Sequence, residues 1–239
     1  MLKFIGTGDL ANVKLGNTSC YYKSENEILL IDIGILNFKT LIESDILKDV
    51  NVVNIIITHS HPDHIGALAS TIYYLEYWLK IKNINIVVPN DLQKNDIHTF
   101  LQIQGVENNE YNFINANEFK MNNIKSVAFD LVKHSNVKSF AVTINFYENK
   151  EIFVGDNNDV DFLTKNLELI NKNDLIYTDV SSLNSSVHLN IDVFINLVPE
   201  SKRKNVVCMH FENDDIKERL RGLGFQIAEN DIKKIATNI

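Results

Sequence analysis

The segment Thr58-His59-Ser60-His61-Pro62-Asp63-His64-Ile65-Gly66 places four side chains that can bind metals within six residues. It follows the run from Val52 to Ile57, which is short, apolar and rich in β-branched residues and therefore predicts a buried strand. Because residues i and i+2 of an extended chain point to the same side, His59 and His61 can reach one ion.

Pro62 ends the extended run and puts Asp63 and His64 on the first turn of a helix. From there both side chains can point back toward a second ion beside the first. Zinc binds nitrogen and carboxylate ligands and has no geometric preference from d-electrons, which suits this mixture. A polar loop with scattered histidines is the alternative, and the register of three histidines and one aspartate favours the metal site.

The pattern His-x-His-x-Asp-His of residues 59–64 resembles the signature of the metallo-β-lactamase superfamily. Three further segments resemble the opening segments of its ribonuclease Z branch: Phe4-Ile5-Gly6-Thr7-Gly8, Gly16-Asn17-Thr18-Ser19-Cys20 and Leu30-Ile31-Asp32-Ile33-Gly34. The resemblance implies an α/β fold, the four-layer αββα metallo-β-lactamase sandwich. With only 9 Gly and 3 Pro and no linker-like segment, residues 1–239 are predicted to form a single domain.

The resemblance also implies three more ligands, each at the end of a predicted strand, and two zinc ions per chain, or two Mn²⁺ in their place. The implied ligands are His59, His61 and His134 for one ion, Asp63, His64 and His210 for the other, and Asp156 as the bridge. A carboxylate has two oxygens, so it is the group that can hold two cations together.

Asp32 interrupts the apolar strand from Ile28 to Ile33 just before Gly34. A charged residue at this point needs a partner, and the nearby histidines of the metal site supply one. We predict that Asp32 supports a ligand imidazole. The alternative is a turn residue at the end of the strand.

The charge of the implied site separates classes of substrate. Two zinc ions roughly 3.5–4 Å apart share a water and lower its pKa, so that a bridging hydroxide becomes the nucleophile. Two divalent ions carry four positive charges, Asp63 and Asp156 remove two, and the hydroxide removes one more. The site stays net positive, which suits an anionic phosphodiester better than a neutral amide.

A phosphodiester expels a poor alkoxide leaving group, so an acid near the metals assists the reaction. Asp179 and His188 fall where enzymes similar to ribonuclease Z carry a carboxylate–histidine pair in that role. With Asp63, they form the predicted catalytic set. The alternative makes Asp179 a turn residue and His188 a polar residue beside a helix.

The substrate prediction rests on what the chain lacks. Ribonuclease Z carries its tRNA-binding arm between the ligands that match His134 and Asp156, where only a hairpin fits here, and the net charge of −8 opposes a stable nucleic-acid complex. Armless relatives of similar sequence include the phage anti-Pycsar enzymes, which open cyclic mononucleotides. The resemblance implies a phosphodiesterase converting 3′,5′-cyclic mononucleotides to linear monophosphates. The alternatives are a ribonuclease Z-like tRNA 3′ endonuclease, a thioester or lactone hydrolase, and a non-catalytic metal-binding protein.

The composition, with 45% hydrophobic and 23% charged residues, is typical of a globular protein. Cys20 and Cys208 lie in apolar runs and are predicted to be buried thiols rather than a disulfide or a metal site. The sequence has neither a secretory signal nor an apolar run long enough for a membrane span, so we expect a cytoplasmic protein without membrane association.

Two helices are predicted near the metal motif, one over residues 37–47 and one that begins at Asp63 and continues through Leu79. The second carries an aromatic face of Tyr73, Tyr74, Tyr77 and Trp78, which favours core packing or a dimer contact over base stacking. This face and the family resemblance together predict a homodimer.

Overall fold

Two six-stranded sheets form the centre of a computed structural model, which describes residues 1–232. The amino-terminal sheet contains β1 (Lys3–Gly6), β2 (Ser19–Ser24), β3 (Glu27–Ile31), β4 (Val52–Ile56), β5 (Asn83–Val88) and β6 (Asn112–Asn115). The carboxy-terminal sheet contains β7 (Ile124–Val132), β8 (Ser139–Phe146), β9 (Lys150–Phe153), β10 (Leu175–Asp179), β11 (Val206–Met209) and β12 (Gln226–Ile227).

The two sheets have the same topology. In each, the strands are adjacent in chain order, the first two pairings are antiparallel and the remaining three are parallel. The fold therefore contains a structural repeat that the sequence does not display. Many different apolar sequences can form the same strand order, because burial depends on hydrophobicity and alternation rather than on particular residues.

Helices connect the parallel strands, as parallel pairing requires. The α-helices of the described chain are α1 (Phe38–Ile42), α2 (Pro62–Ile65), α3 (Leu68–Tyr73), α4 (Asp91–Ile103), α5 (Val160–Leu169), α6 (Ile191–Leu197) and α7 (Asp214–Gly222). Short 3-10 helices cover Ile35–Asn37 and Glu200–Asn205, and Tyr74–Trp78 is a π-helical turn.

Three apolar clusters define the layers. One joins the amino-terminal sheet to α1–α4, and a second joins the carboxy-terminal sheet to α5–α7. The third lies between the sheets, where Leu29 and Ile56 of one face Phe153 and Met209 of the other, all of them less than 2% exposed. The predicted four-layer αββα sandwich is confirmed.

The elements next to the metal motif differ from the prediction. The long helix expected from Asp63 to Leu79 is divided into α2, α3 and the π-helical turn, because the backbone N–H of Ala67 donates to the carbonyl of Ile33 instead of continuing the helix (2.9 Å). The helix expected over residues 37–47 covers only α1. Sequence reasoning also missed β6, an edge strand with two asparagines in four residues.

Both cysteines are buried and unpaired in β2 and β11, as predicted. Within residues 1–232, every helix is too short or too polar to cross a bilayer. The carboxyl ends of β3, β4, β9, β10 and β11 all lead into polar residues of the predicted site, at Asp32, His59, Asp156, Asp179 and His210. Parallel strands bring such ends to one edge of their sheet, and the packing of the sheets brings the two edges together.

Candidate metal centre

All seven predicted ligands meet at this edge, in two groups that share one residue. Within each group, one nitrogen or oxygen atom per residue lies within 4.8 Å of those of the others. The groups are His59, His61, His134 and Asp156, and Asp63, His64, His210 and Asp156. The division matches the predicted assignment of ligands to two ions.

The first group brings the ring nitrogens of three histidines close together. His59 Nε2 lies 3.0 Å from His61 Nδ1, and His134 Nε2 lies 3.2 Å from the same atom. Burial lowers the pKa of all three imidazoles, and neighbouring histidines lower it further. Neutral imidazoles that converge in this way present the nitrogen donors that a divalent cation requires.

The second group surrounds one oxygen of each aspartate. His210 Nε2 lies 3.3 Å from both Asp63 Oδ2 and Asp156 Oδ1, and His64 Nε2 lies 3.4 and 3.2 Å from the same two oxygens. Asp63 and His64 lie on the first turn of α2, which begins at Pro62, one residue before the predicted helix start at Asp63.

Asp156 lies between the groups, and its two oxygens face different sides. Oδ1 faces His64 and His210, whereas Oδ2 lies 3.9 Å from both His59 Nε2 and His134 Nε2. The preceding Gly155 has a φ of 69°, in the left-handed region that favours glycine, and so turns the chain sharply after β9. Asp156 has the position of a bridging ligand.

The electrostatics of the centre favour positive charge. Burial alone would raise the pKa of the Asp156 carboxyl, but the charges of His210 and His64 hold it well below its usual range. Burial likewise opposes protonation of His210, and Asp156 and Asp63 overcome it and raise the pKa of His210 to about 9. A divalent cation would supply this positive charge and leave the imidazoles neutral.

Two buried atoms provide a test of the fit to a metal. His64 Nε2 and Asp156 Oδ1 are inaccessible to solvent and lie 3.2 Å apart, yet neither makes a hydrogen bond of acceptable geometry within residues 1–232. Leaving buried polar atoms unsatisfied is costly, and a cation bound by both would satisfy them together. The residues present fit a metal ion.

Asp32 accepts a hydrogen bond from His64, one of the predicted ligands. His64 Nδ1 donates to Asp32 Oδ2 at 2.7 Å, and the N–H and hydroxyl of Thr58 donate to the two oxygens of the same carboxylate at 2.7 Å each. This contact places Asp32 against His64, the imidazole of the predicted ligand set that it was expected to support. It fixes Nδ1 as the protonated nitrogen, so Nε2 keeps its lone pair for the metal.

Asp179 and His188 form the predicted pair at the side of the centre. His188 Nδ1 donates to Asp179 Oδ2 at 2.8 Å and lies 4.0 Å from Asp156 Oδ2. Burial would lower the pKa of His188, but its hydrogen bond to Asp179 and the charge of that carboxylate raise it. The contact with Asp179 therefore favours the protonated form of this imidazole.

Comparison with known proteins identifies the family to which the chain belongs. Residues 1–229 match the sequence profile of the family described as Anti-Pycsar protein Apyc1. The chain belongs to this family. The Anti-Pycsar protein Apyc1 of Bacillus phage BSP38 is 25% identical over 228 residues, which cover 88% of each chain.

Solved structures show the same fold. The short form of human tRNase Z (ELAC1) superposes with a TM-score of 0.66 at 20% identity, over 96% of both chains. The metallo-β-lactamase fold protein YhfI from Bacillus subtilis has a TM-score of 0.69 at 14% identity, over 95% of this chain and 93% of its own. The family, the fold and the two His/Asp groups together support a metallohydrolase.

Sequence reasoning missed three groups that position this site. Asn157 Nδ2 donates to Asp179 Oδ1 at 2.7 Å, and the carbonyl of Val187 accepts from His134 Nδ1 at 2.8 Å. The carboxylate of Glu212 accepts from the N–H of Ser182 at 3.0 Å and from its hydroxyl at 2.7 Å, at the start of the loop that carries His188. Asn157 and Glu212 follow Asp156 and His210 closely in sequence, and that proximity was the available signal.

Replacing Asp32 with alanine should weaken metal binding, because His64 loses the partner that orients its ring. We expect the affinity to fall roughly 10–100-fold, measured by competition with a chromophoric chelator. Asp130→Ala, an exposed position on β7, is the matched control and should keep the wild-type affinity. Equal affinities in all three proteins would show that Asp32 does not support the ligand.

Proposed function

We propose that this protein is a binuclear zinc phosphodiesterase that opens 3′,5′-cyclic mononucleotides to linear monophosphates. The observation that carries the proposal is the position of Asp156, whose two oxygens face two separate groups of ligand atoms. The family to which the chain belongs, and the resemblance of the chain to phage enzymes that open cyclic mononucleotides, support the choice of substrate.

The donor set supports zinc. Five histidines and two aspartates offer nitrogen and carboxylate ligands, the mixture that zinc accepts, and no thiolate takes part. Bound zinc supplies a hydroxide nucleophile at neutral pH and positive charge for the phosphoryl oxygens. His59, His61 and His134 would hold one ion, and Asp63, His64 and His210 the other.

The leaving oxygen needs a proton, and His188 would donate it. Asp179 engages Nδ1, so the proton to be transferred resides on Nε2. Asn157 fixes the carboxylate of Asp179 from its other oxygen, which holds the imidazole in one orientation. When the P–O bond of a cyclic nucleotide breaks, this proton converts the ribose alkoxide to a hydroxyl, and the oxygen stays tethered through the sugar.

The segment between His134 and Asp156 supports a small substrate. It contains β8, β9 and a three-residue connection, with no arm that could bind a tRNA. The formal net charge of −8 also opposes the binding of a long polyanion outside the metal centre.

We also propose a homodimer formed through the face of α1, α3 and the π-helical turn. Tyr73 and Tyr74 pack partly against the core of the amino-terminal sheet, but the side chains of Tyr77 and Trp78 are 50% and 71% exposed. Trp78, Tyr73 and Tyr74 border an apolar groove together with Phe38 and Ile42. A second copy would cover this aromatic surface by the same elements, as a twofold contact requires.

The function is tested by metal analysis and a substrate screen. Purified protein should contain near two zinc per chain, and chromatography should show linear monophosphate from several cyclic mononucleotides with little cleavage of a 3′-extended tRNA. Asp156→Ala should reduce hydrolysis to background, because the shared carboxylate is lost. A fully active Asp156→Ala protein would refute the assignment, and efficient tRNA trimming with cyclic nucleotides untouched would favour the ribonuclease.

His188→Ala should slow cyclic-nucleotide opening roughly 10²–10⁴-fold, the range of a lost general acid. Hydrolysis of bis-p-nitrophenyl phosphate should change little, since p-nitrophenolate leaves without a proton. His98→Ala, on α4 away from the ligands, is the matched control. An unchanged rate for cyclic nucleotides in His188→Ala would remove the acid role of His188.

Trp78→Asp should convert the dimer to a monomer, because burying a carboxylate at an apolar contact costs more than the contact provides. Light scattering at micromolar concentration measures the change, and circular dichroism verifies the fold. Leu169→Asp, which replaces a 58% exposed leucine on α5, should leave the dimer intact. A monomeric wild-type protein would contradict the proposed dimer.

A further inference from the structure

The loop of residues 181–190 follows β10, leads into α6 and carries His188. Residues 182–186 are all exposed, and the loop has no buried side chain between Ser181 and Leu189. Apolar packing therefore does not fix where the middle of this loop lies. The position of the loop depends on polar contacts made near its ends.

Backbone hydrogen bonds close the loop at its base. The N–H of Ser181 donates to the carbonyl of Leu189 at 3.0 Å, and the N–H of Ile191 donates to the carbonyl of Ser181 at 2.8 Å. Ser181 is therefore paired with the residue that directly follows His188. A shift of Ser181 would move the backbone of His188 with it.

Glu212 holds the base of the loop from outside. One oxygen of its carboxylate accepts from the hydroxyl of Ser181. The other oxygen accepts from the N–H and the hydroxyl of Ser182, at 3.0 and 2.7 Å. Three donors on two neighbouring residues thus converge on one half-buried carboxylate. Hydrogen bonds to a charged acceptor are stronger than those between neutral groups.

The backbone of Glu212 is itself fixed by the amino-terminal half of the chain. The side-chain amide of Asn12 donates to the carbonyls of Phe211 and Glu212, at 3.0 and 3.1 Å. The N–H of Phe211 donates to the carbonyl of Thr7 at 3.0 Å, and the Phe211 side chain is fully buried. Glu212 therefore connects a loop without apolar packing to a well-packed edge of the fold.

We propose that Glu212 is a positioning residue for the proton donor, holding the base of the loop so that His188 keeps its hydrogen bond to Asp179 and faces the leaving oxygen. The inference rests on the proposed phosphodiesterase function. The role is one of position, because the hydrogen bonds of the carboxylate go to Ser181 and Ser182. Displacing a reacting group by about 1 Å can slow a reaction about 100-fold. The effect should appear only in reactions that need the proton.

Glu212→Gln tests this role, because an amide has one acceptor oxygen and turns its N–H groups toward donors that the carboxylate accepted. On zinc-loaded protein, kcat for cyclic-nucleotide opening should fall roughly 10–100-fold, with KM within about twofold. Hydrolysis of bis-p-nitrophenyl phosphate should keep its rate, because that leaving group needs no proton. Glu229→Gln, which removes an ion pair with Arg221, is the matched control and should keep both rates.

A double-mutant cycle separates positioning from a general effect on the fold. If Glu212 acts through His188, Glu212→Gln should cause no further loss of rate in His188→Ala. Ser182→Ala is the second variant, since it removes one donor at an exposed position and leaves the carboxylate in place. In Ser182→Ala, kcat for cyclic nucleotides should fall by a smaller factor, again with bis-p-nitrophenyl phosphate unaffected.

Hydrogen–deuterium exchange of the loop provides a readout apart from turnover. In Glu212→Gln, the amides of Ser181 and Ser182 should exchange faster than in the wild type, with the metal content unchanged. Unchanged exchange overturns the positioning role, as does an equal loss of rate with bis-p-nitrophenyl phosphate or in the His188→Ala background. Faster exchange in a protein that opens no cyclic nucleotide upholds the hold of Glu212 on the loop and overturns the proposed function.

Discussion

The negative charge of Asp156, buried where the two sheets meet, is the constraint on which the site depends. This carboxylate is 2% exposed, and within residues 1–232 its ion pairs all involve histidines. Neutral imidazoles cannot balance a buried charge, and protonated ones repel one another. A divalent cation resolves the conflict, because it balances the aspartates and uses the lone pairs of the histidines at the same time.

The backbone meets this constraint by ending strands abruptly. Asp32 and His210 follow β3 and β11 with φ values of 58° and 64°, a left-handed conformation that costs non-glycine residues roughly 1–2 kcal/mol each. The turn directs each side chain from the sheet into the centre. At Asp32, hydrogen bonds from Thr58 and His64 offset this conformational cost. The residue with the strained backbone is therefore also the residue that orients the His64 ring.

The sequence predicts a part of the molecule when its residue pattern is compatible with only one structural role. The apolar run from Val52 to Ile57 is compatible only with a buried strand, so β4 was predicted. The spacing of His59, His61, Asp63 and His64 directs their side chains toward a common point, so the first half of the site was predicted as well. His134, Asp156 and His210 were reached only through the resemblance, because an isolated histidine or a Gly-Asp pair is also typical of ordinary turns.

Other features depend on contacts that a sequence does not display. The break after α2 arises from one backbone bond between Ala67 and Ile33, and β6 becomes a strand because β5 offers it an edge. Gln93 looks like any polar residue of an amphipathic helix, and only the folded chain shows that it is buried with an acceptor to spare. The role of Glu212 likewise requires the loop that it holds.

The two sheets share one topology, and the candidate site is divided between them. The amino-terminal sheet contributes only part of each group of candidate ligands, His59 and His61 to the first and Asp63 and His64 to the second. The carboxy-terminal sheet contributes His134 to the first group, His210 to the second and Asp156 to both groups. Each half of the fold therefore lacks part of both groups, and a cation bound at their junction would act as a cross-link between them.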